Sequence, residues 1–143
     1  TEAMWMLYAA GSAVAAACVA IFGKIGLKEI DPTLATIIRG VVMAVILIVA
    51  GFAFRKFDGF NPFAVSGRAW LFIFLSALAG AASWILYFIA LKGGPAGAVA
   101  VLDKTSVVLV ILFAALFLGE ALTLKSALGV VLTVAGTLLI LFK

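Results

Sequence analysis

The sequence contains no histidine, a single cysteine at Cys18, and few charges of either sign. Lack of histidine excludes a Ser/His/Asp triad, and with one thiol there is neither a Cys/His zinc site nor a disulfide framework. Charged residues make up 11% of the 143 positions, against about 25% in an ordinary soluble domain. Ten Lys and Arg with six Asp and Glu cannot coat a folded soluble chain of this size. The net charge of +4 is scattered, without the basic run or stripe that nucleic-acid binding needs. No general acid/base pair with a nucleophile is visible, so neither an enzyme nor a cofactor is expected. What the sequence has in excess is apolar residues, at 67%. That is too many for a disordered chain and defines an integral membrane protein.

A spanning helix takes about 20 mostly apolar residues. Five segments qualify, at 4–22, 32–54, 69–91, 96–118 and 124–142. The fold expected is therefore all-α, with five transmembrane helices joined by short connections. Thr1-Glu2 leaves no room for the basic region of a cleavable signal, so the first segment is read as a span. Gly23 and Gly26 are expected to loosen the end of span 1. Asp31-Pro32 reads as an N-cap followed by proline at the first helical position. Residues 57–62 are turn chemistry, Gly93-Gly94-Pro95 separates spans 3 and 4, Gly119 closes span 4, and Thr123 caps span 5.

Let the N-terminal side be B and the opposite side A. Side A carries Lys24, Lys28, Lys92 and Lys143, and side B carries Arg55, Lys56, Arg68 and Lys125. Four against four leaves the positive-inside rule without a preference. Arg39 and Lys104 lie inside apolar segments, and counting them for side A biases that side to the cytoplasm. One topology can still win through unequal weights. The alternative is dual topology, in which the chain inserts both ways and pairs as an antiparallel homodimer. An odd number of spans is what an inverted repeat requires.

Charges deep in spans are expensive and mark functional sites by default. Arg39 lies seven residues into span 2, and Asp103 and Lys104 seven and eight residues into span 4, each about 10–12 Å from side A. One reading is a structural ion pair from Asp103 to Arg39, with Lys104 snorkelling to the surface. The other is a polar site for an anionic or zwitterionic substrate, with Asp103 or Glu120 able to carry a proton. Trp84, in span 3, falls at the same depth. It shares a face with Tyr87, so the pair can stack on a ligand beside the cations or anchor the helix at the interface. Ser76, Gly80 and Ser83 form a small-residue stripe. In span 5 Gly129, Thr133 and Thr137, with Gly136 alongside, mark either internal packing or a dimer seam. Lys24 and Lys28 are expected to snorkel, Ser106 to bond its own backbone, and Glu120 to be a solvated loop charge.

These residues carry a family resemblance. The stretch Ser106–Leu139, with Leu118-Gly119-Glu120 followed by Gly129 and Gly136, resembles the end of an EamA domain of the drug/metabolite transporter superfamily. Lys24-Ile25-Gly26-Leu27, Ala35-Thr36-Ile37-Ile38-Arg39, Ala82-Ser83-Trp84 with Tyr87-Phe88, and Asp103-Lys104-Thr105-Ser106 extend it over the whole chain. The chain is most similar to the single-domain, five-span bacterial and archaeal members. The resemblance implies one EamA-like domain over 1–143 in a prokaryotic cytoplasmic membrane. Larger relatives carry two such domains as an inverted repeat, so it also implies that two copies assemble. Many EamA domains have a proline in span 4. This sequence reads Thr105-Ser106-Val107-Val108, so a broken helix is not implied there.

The leading function is a secondary transporter of a small polar or amphipathic metabolite, working by alternating access, with Arg39, Asp103, Lys104, Trp84 and Tyr87 lining its site. A small-multidrug-type exporter is disfavoured, since span 1 carries no carboxylate between Met4 and Phe22. A small dual-topology ion channel and a non-transporting membrane assembly subunit remain as alternatives.

Overall fold

Asp31 ends the loop after the first helix, and its Oδ2 accepts from the amides of Thr33 and Leu34, both at 3.0 Å. Two orphan donors are thereby satisfied, and Pro32 supplies a preset φ, so helix α2 starts there. Thr123 does the same for the last helix, its Oγ1 accepting from the Ser126 amide at 3.1 Å. The computed structural model describes residues 2–142. Among them it is all helical, with α1 over Glu2–Gly26, α2 over Pro32–Ala53, α3 over Gly67–Gly93, α4 over Ala96–Asp103, α5 over Ser106–Phe117 and α6 over Leu124–Leu141. A short 3-10 helix, Pro62–Ala64, interrupts the α2–α3 connection, with Asn61 as its cap. Lys143, counted above on side A, lies outside the described residues.

Five helical stretches are long and apolar enough to cross a membrane, with α4 and α5 together forming the fourth, Ala96–Phe117. The protein is thus an integral membrane protein of five spans. Two details differ from expectation. Helix α1 runs through Gly23 to Gly26, because Gly23 is a contact point with α3 and not a break. Span 4 is interrupted: the helix stops at Asp103 and restarts at Ser106 without a proline.

The helix ends explain two of the turn signals. Gly119 adopts φ +70 after α5. That left-handed step turns the Glu120 amide back to the Ala114 carbonyl at 3.1 Å. The Leu-Gly-Glu turn is therefore a helix stop. Helix α2 ends in a Schellman motif, with Lys56 N–H to the Gly51 carbonyl at 2.9 Å and Arg55 N–H to the Phe52 carbonyl at 3.1 Å. Arg55 holds the left-handed position, φ 56, that glycine usually takes.

The chain divides into two compact units, one of Phe22–Lys92 and one of the described residues up to Ile21 and from Gly93 onward. In the first, Leu27, Thr36, Phe88 and Leu91 are buried; in the second, Ala114 and Thr137 are. No more than 6% of any spanning window is buried within the chain. Side chains such as Val49, Leu86 and Leu132 are more than 60% exposed. Such faces are stable only against lipid or another chain.

Candidate functional site

In the unit of 22–92, the last turn of α1 meets the last turn of α3. A Cβ on Gly23 would sit 2.8 Å from Phe88 Cε1 and 3.3 Å from Leu91 Cδ2, so glycine sets the approach. The Lys24 ammonium then reaches the end of α3, donating to the Leu91 carbonyl at 2.6 Å and, more weakly, to that of Lys92 at 3.5 Å. These are carbonyls that a helix C-terminus leaves without internal donors, and a cation there also suits the dipole. Lys92 reciprocates, donating to the Ile30 carbonyl at 2.9 Å in the α1–α2 connection. Lys24 is therefore a structural donor and not the snorkelling surface charge that was expected.

This clamp frames a cavity of about 220 Å³ lined by Gly23, Gly26, Leu27, Ile30, Ala35, Ile38, Arg39 and Phe88. Arg39 enters it from α2. Its guanidinium carbon lies 4.8 Å from the Trp84 ring centroid and 4.9 Å from that of Phe88, both on α3. The spacing of four brings the two rings onto one helix face. Arg39 and Trp84 thus meet, as the sequence suggested. The second ring against the guanidinium is that of Phe88; Tyr87 is half-buried beside Phe88, with ring centroids 5.9 Å apart, and interacts with Arg39 electrostatically. Thr36 is buried on α2, and its hydroxyl donates to the Pro32 carbonyl at 2.8 Å.

In the second unit the interruption of span 4 falls on the charged pair. The amides of Thr105, Val107 and Val108 bond three residues back, to Leu102, Lys104 and Thr105, at 3.0–3.1 Å. The Thr105 hydroxyl adds a bond to the Leu102 carbonyl at 2.6 Å. A side-chain hydroxyl competing for backbone carbonyls thus tightens the helix into a 3-10 turn. Asp103 and Lys104 flank this turn, with Nζ and Oδ2 3.9 Å apart and both side chains partly accessible. Lys104 also lines a cavity of about 330 Å³ with Ala100 and Val101 from α4 and Leu132, Thr133, Gly136 and Thr137 from α6. Thr133, Gly136 and Thr137 of α6 therefore face α4, while Gly129, grouped with them in the sequence, is not among the lining residues. The Thr133 and Thr137 hydroxyls donate to the Gly129 and Thr133 carbonyls at 2.8 Å, so each oxygen keeps its capacity to accept. A Cβ at Gly80, Gly129 or Gly136 would meet nothing within 4 Å, whereas one at Gly23 would meet Phe88 on α3 and one at Gly51 would meet the Phe57 ring at 2.5 Å.

The sequence reading missed Phe88, Gly23, Lys24 as a cap, and Thr105. Phe88 was legible as the residue four after Trp84. Thr105 was legible as a hydroxyl within a span beside two charges.

Five apolar spans, two of them carrying ionisable side chains on cavities and one interrupted at its charges, define a polytopic α-helical membrane protein. The sequence matches the EamA-like transporter family over residues 3–142. The chain belongs to that family. It is 45% identical over 136 residues, 95% of each chain, to a Sinorhizobium protein described as an uncharacterized transporter in the cobO 3′ region. No solved structure matches it.

Proposed function

We propose that the protein is a secondary transporter that moves a small polar or amphipathic metabolite, anionic or zwitterionic, by alternating access. The observation that carries this reading is the interruption of span 4 between Asp103 and Ser106, with Lys104 on the wall of a cavity. Irregular backbone at membrane depth is stable where it lines a cavity, and discontinuous helices build the sites of many transporters. An apolar span of 22 residues has no packing need for a carboxylate and an ammonium there. Asp103 is assigned the coupling proton, and Lys104 the contact with a negatively charged group of the substrate. Arg39 and Trp84 line the second polar location, with Tyr87 beside it.

The unit of transport is an antiparallel homodimer. Five spans, and flanking basic residues matched four to four, support it, as do the exposed apolar faces of the single chain. Rocking of two copies about a shared midplane supplies the alternation. The test begins with a metabolite thermal-stabilisation screen on purified protein, followed by flux of each stabilising compound into proteoliposomes under an imposed pH gradient. Asp103→Asn is expected to abolish gradient-driven uptake while leaving ligand stabilisation in place. Uptake that keeps its pH dependence in the variant removes Asp103 from the coupling role. Conductance steps in planar bilayers in place of saturable flux would make the protein a channel.

A further inference from the structure

The cavity of the 22–92 unit has a composition that narrows its ligand further than the transport reading does. Its walls are glycine, alanine, leucine and isoleucine with one aromatic ring, and the single ionic group on them is Arg39. Among the described residues, no carboxylate is paired with the guanidinium; the faces of Trp84 and Phe88 lie against it, and the Tyr87 side chain is close enough to interact with it electrostatically. Aromatic faces attract a cation but neutralise no charge and accept no conventional hydrogen bond. A guanidinium carries five in-plane N–H donors, and burying it partly without an acceptor is costly. Two other cations of the same unit, Lys24 and Lys92, are committed to helix-end and loop carbonyls. The site therefore offers one positive charge, one planar donor fork and an apolar chamber.

We infer that this cavity binds a monoanionic amphiphile, whose oxyanion sits on the Arg39 fork and whose apolar body fills the space between α1 and α2. The planar fork fits the two oxygens of a carboxylate or a phosphodiester. A dianion would leave one charge without a partner in low dielectric. A zwitterion would leave its ammonium against alkyl walls, since no carboxylate lines the cavity and the Ile30 carbonyl is already taken by Lys92. The volume, about 220 Å³, is below the roughly 300 Å³ at which drug-sized sites begin, so the apolar body is short or only partly enclosed. Two sources present this chemistry, a soluble monocarboxylate and the headgroup of an anionic lipid. As a statement about cargo the inference rests on the transport reading; as a binding site it stands on Arg39 and its surroundings.

The experiment uses the full chain in phosphatidylcholine nanodiscs, with Trp5→Phe and Trp70→Phe so that emission reports Trp84 alone. Hexanoate and benzoate are expected to shift that emission saturably and to raise the melting temperature. Hexylammonium and leucine are expected to do neither. Arg39→Lys keeps the charge but loses the fork and is expected to weaken hexanoate binding at least about tenfold, with Arg39→Gln weaker still. If the natural occupant is lipid, nanodiscs containing phosphatidylglycerol give the shift before any probe is added, again only with Arg39 present. Arg39-dependent binding without flux supports the site and defeats the transport reading. Equal responses to leucine or hexylammonium overturn the inference. So does hexanoate binding that is unchanged in folded Arg39→Lys.

Discussion

Gly23 is the residue on which the α1–α3 contact turns, and a one-atom change tests it. Alanine is favoured over glycine inside a helix by about 1 kcal/mol, so in open space Gly23→Ala would stabilise. Here the added Cβ would lie 2.8 Å from the Phe88 ring, itself buried, and near Leu91, which is fully buried. Overpacking costs about 1–3 kcal/mol, which exceeds the helix gain over most of that range. The melting temperature of Gly23→Ala in detergent is therefore expected to fall. A rise would show that Phe88 swings away freely, and the cavity beside Arg39 would then have no fixed wall. Arg39 itself shows why ionisable residues inside spans deserve separate treatment. Its long stem crosses apolar surface while its head rests on two rings, so the residue contributes packing as well as charge.

Helix ends and the span 4 interruption behave as units, and each has its own test. Arg55 closes the Schellman motif of α2 in a left-handed conformation that costs a residue with a Cβ about 1–2 kcal/mol. Arg55→Gly relieves that cost and is expected to raise the melting temperature, with Phe57 still packed on Phe52 at 4.8 Å. The mirror change, Gly119→Ala, imposes the same strain after α5 and is expected to lower stability by a comparable amount. At the interruption, the Thr105 hydroxyl competes with the backbone for the Leu102 carbonyl. Thr105→Ala removes the competitor while favouring helix. Amide exchange at residues 105–108 is expected to slow as the four-back ladder is restored, read by hydrogen–deuterium mass spectrometry. Unchanged exchange would mean that the 3-10 turn is set by neighbouring helices and not by Thr105.

The single chain leaves most of its apolar surface uncovered, and lipid covers that surface without difficulty. What lipid does not explain is the matched flanking charge. In a Cys18→Ala background, Asn61→Cys places the only thiol in the side B connection, where an impermeant maleimide reports which side of the membrane it faces. Dual topology predicts labelling of a large fraction from each face. Labelling from one face alone would leave a parallel assembly or a monomer. Shifting the balance by Lys125→Glu and Arg68→Glu is then expected to drive the population to one orientation, because short loops near span ends weigh most in the rule.

Membrane insertion, the five spans and the capping residues Asp31, Gly119 and Thr123 were all legible in the linear sequence. Each rests on a local property, either apolar run length or the hydrogen-bonding reach of one side chain to the next turn. The family was legible for the same reason, since its motifs are helix ends and spaced glycines. Arg39, Asp103 and Lys104 were also visible, because a charge in an apolar run is conspicuous without any structure. What only the tertiary structure decided is which groups those charges meet. Arg39 rests on Trp84 and Phe88, Lys24 caps α3, and Lys104 faces the Thr133–Thr137 side of α6. Contacts between helices depend on rotation about each axis, and in spans that are apolar on every side the sequence period carries almost no rotational information. The interruption of span 4 lies between the two cases. Its cause, the Thr105 hydroxyl, is local, but a hydroxyl can bond its own helix with or without tightening it, and the packed backbone made that choice.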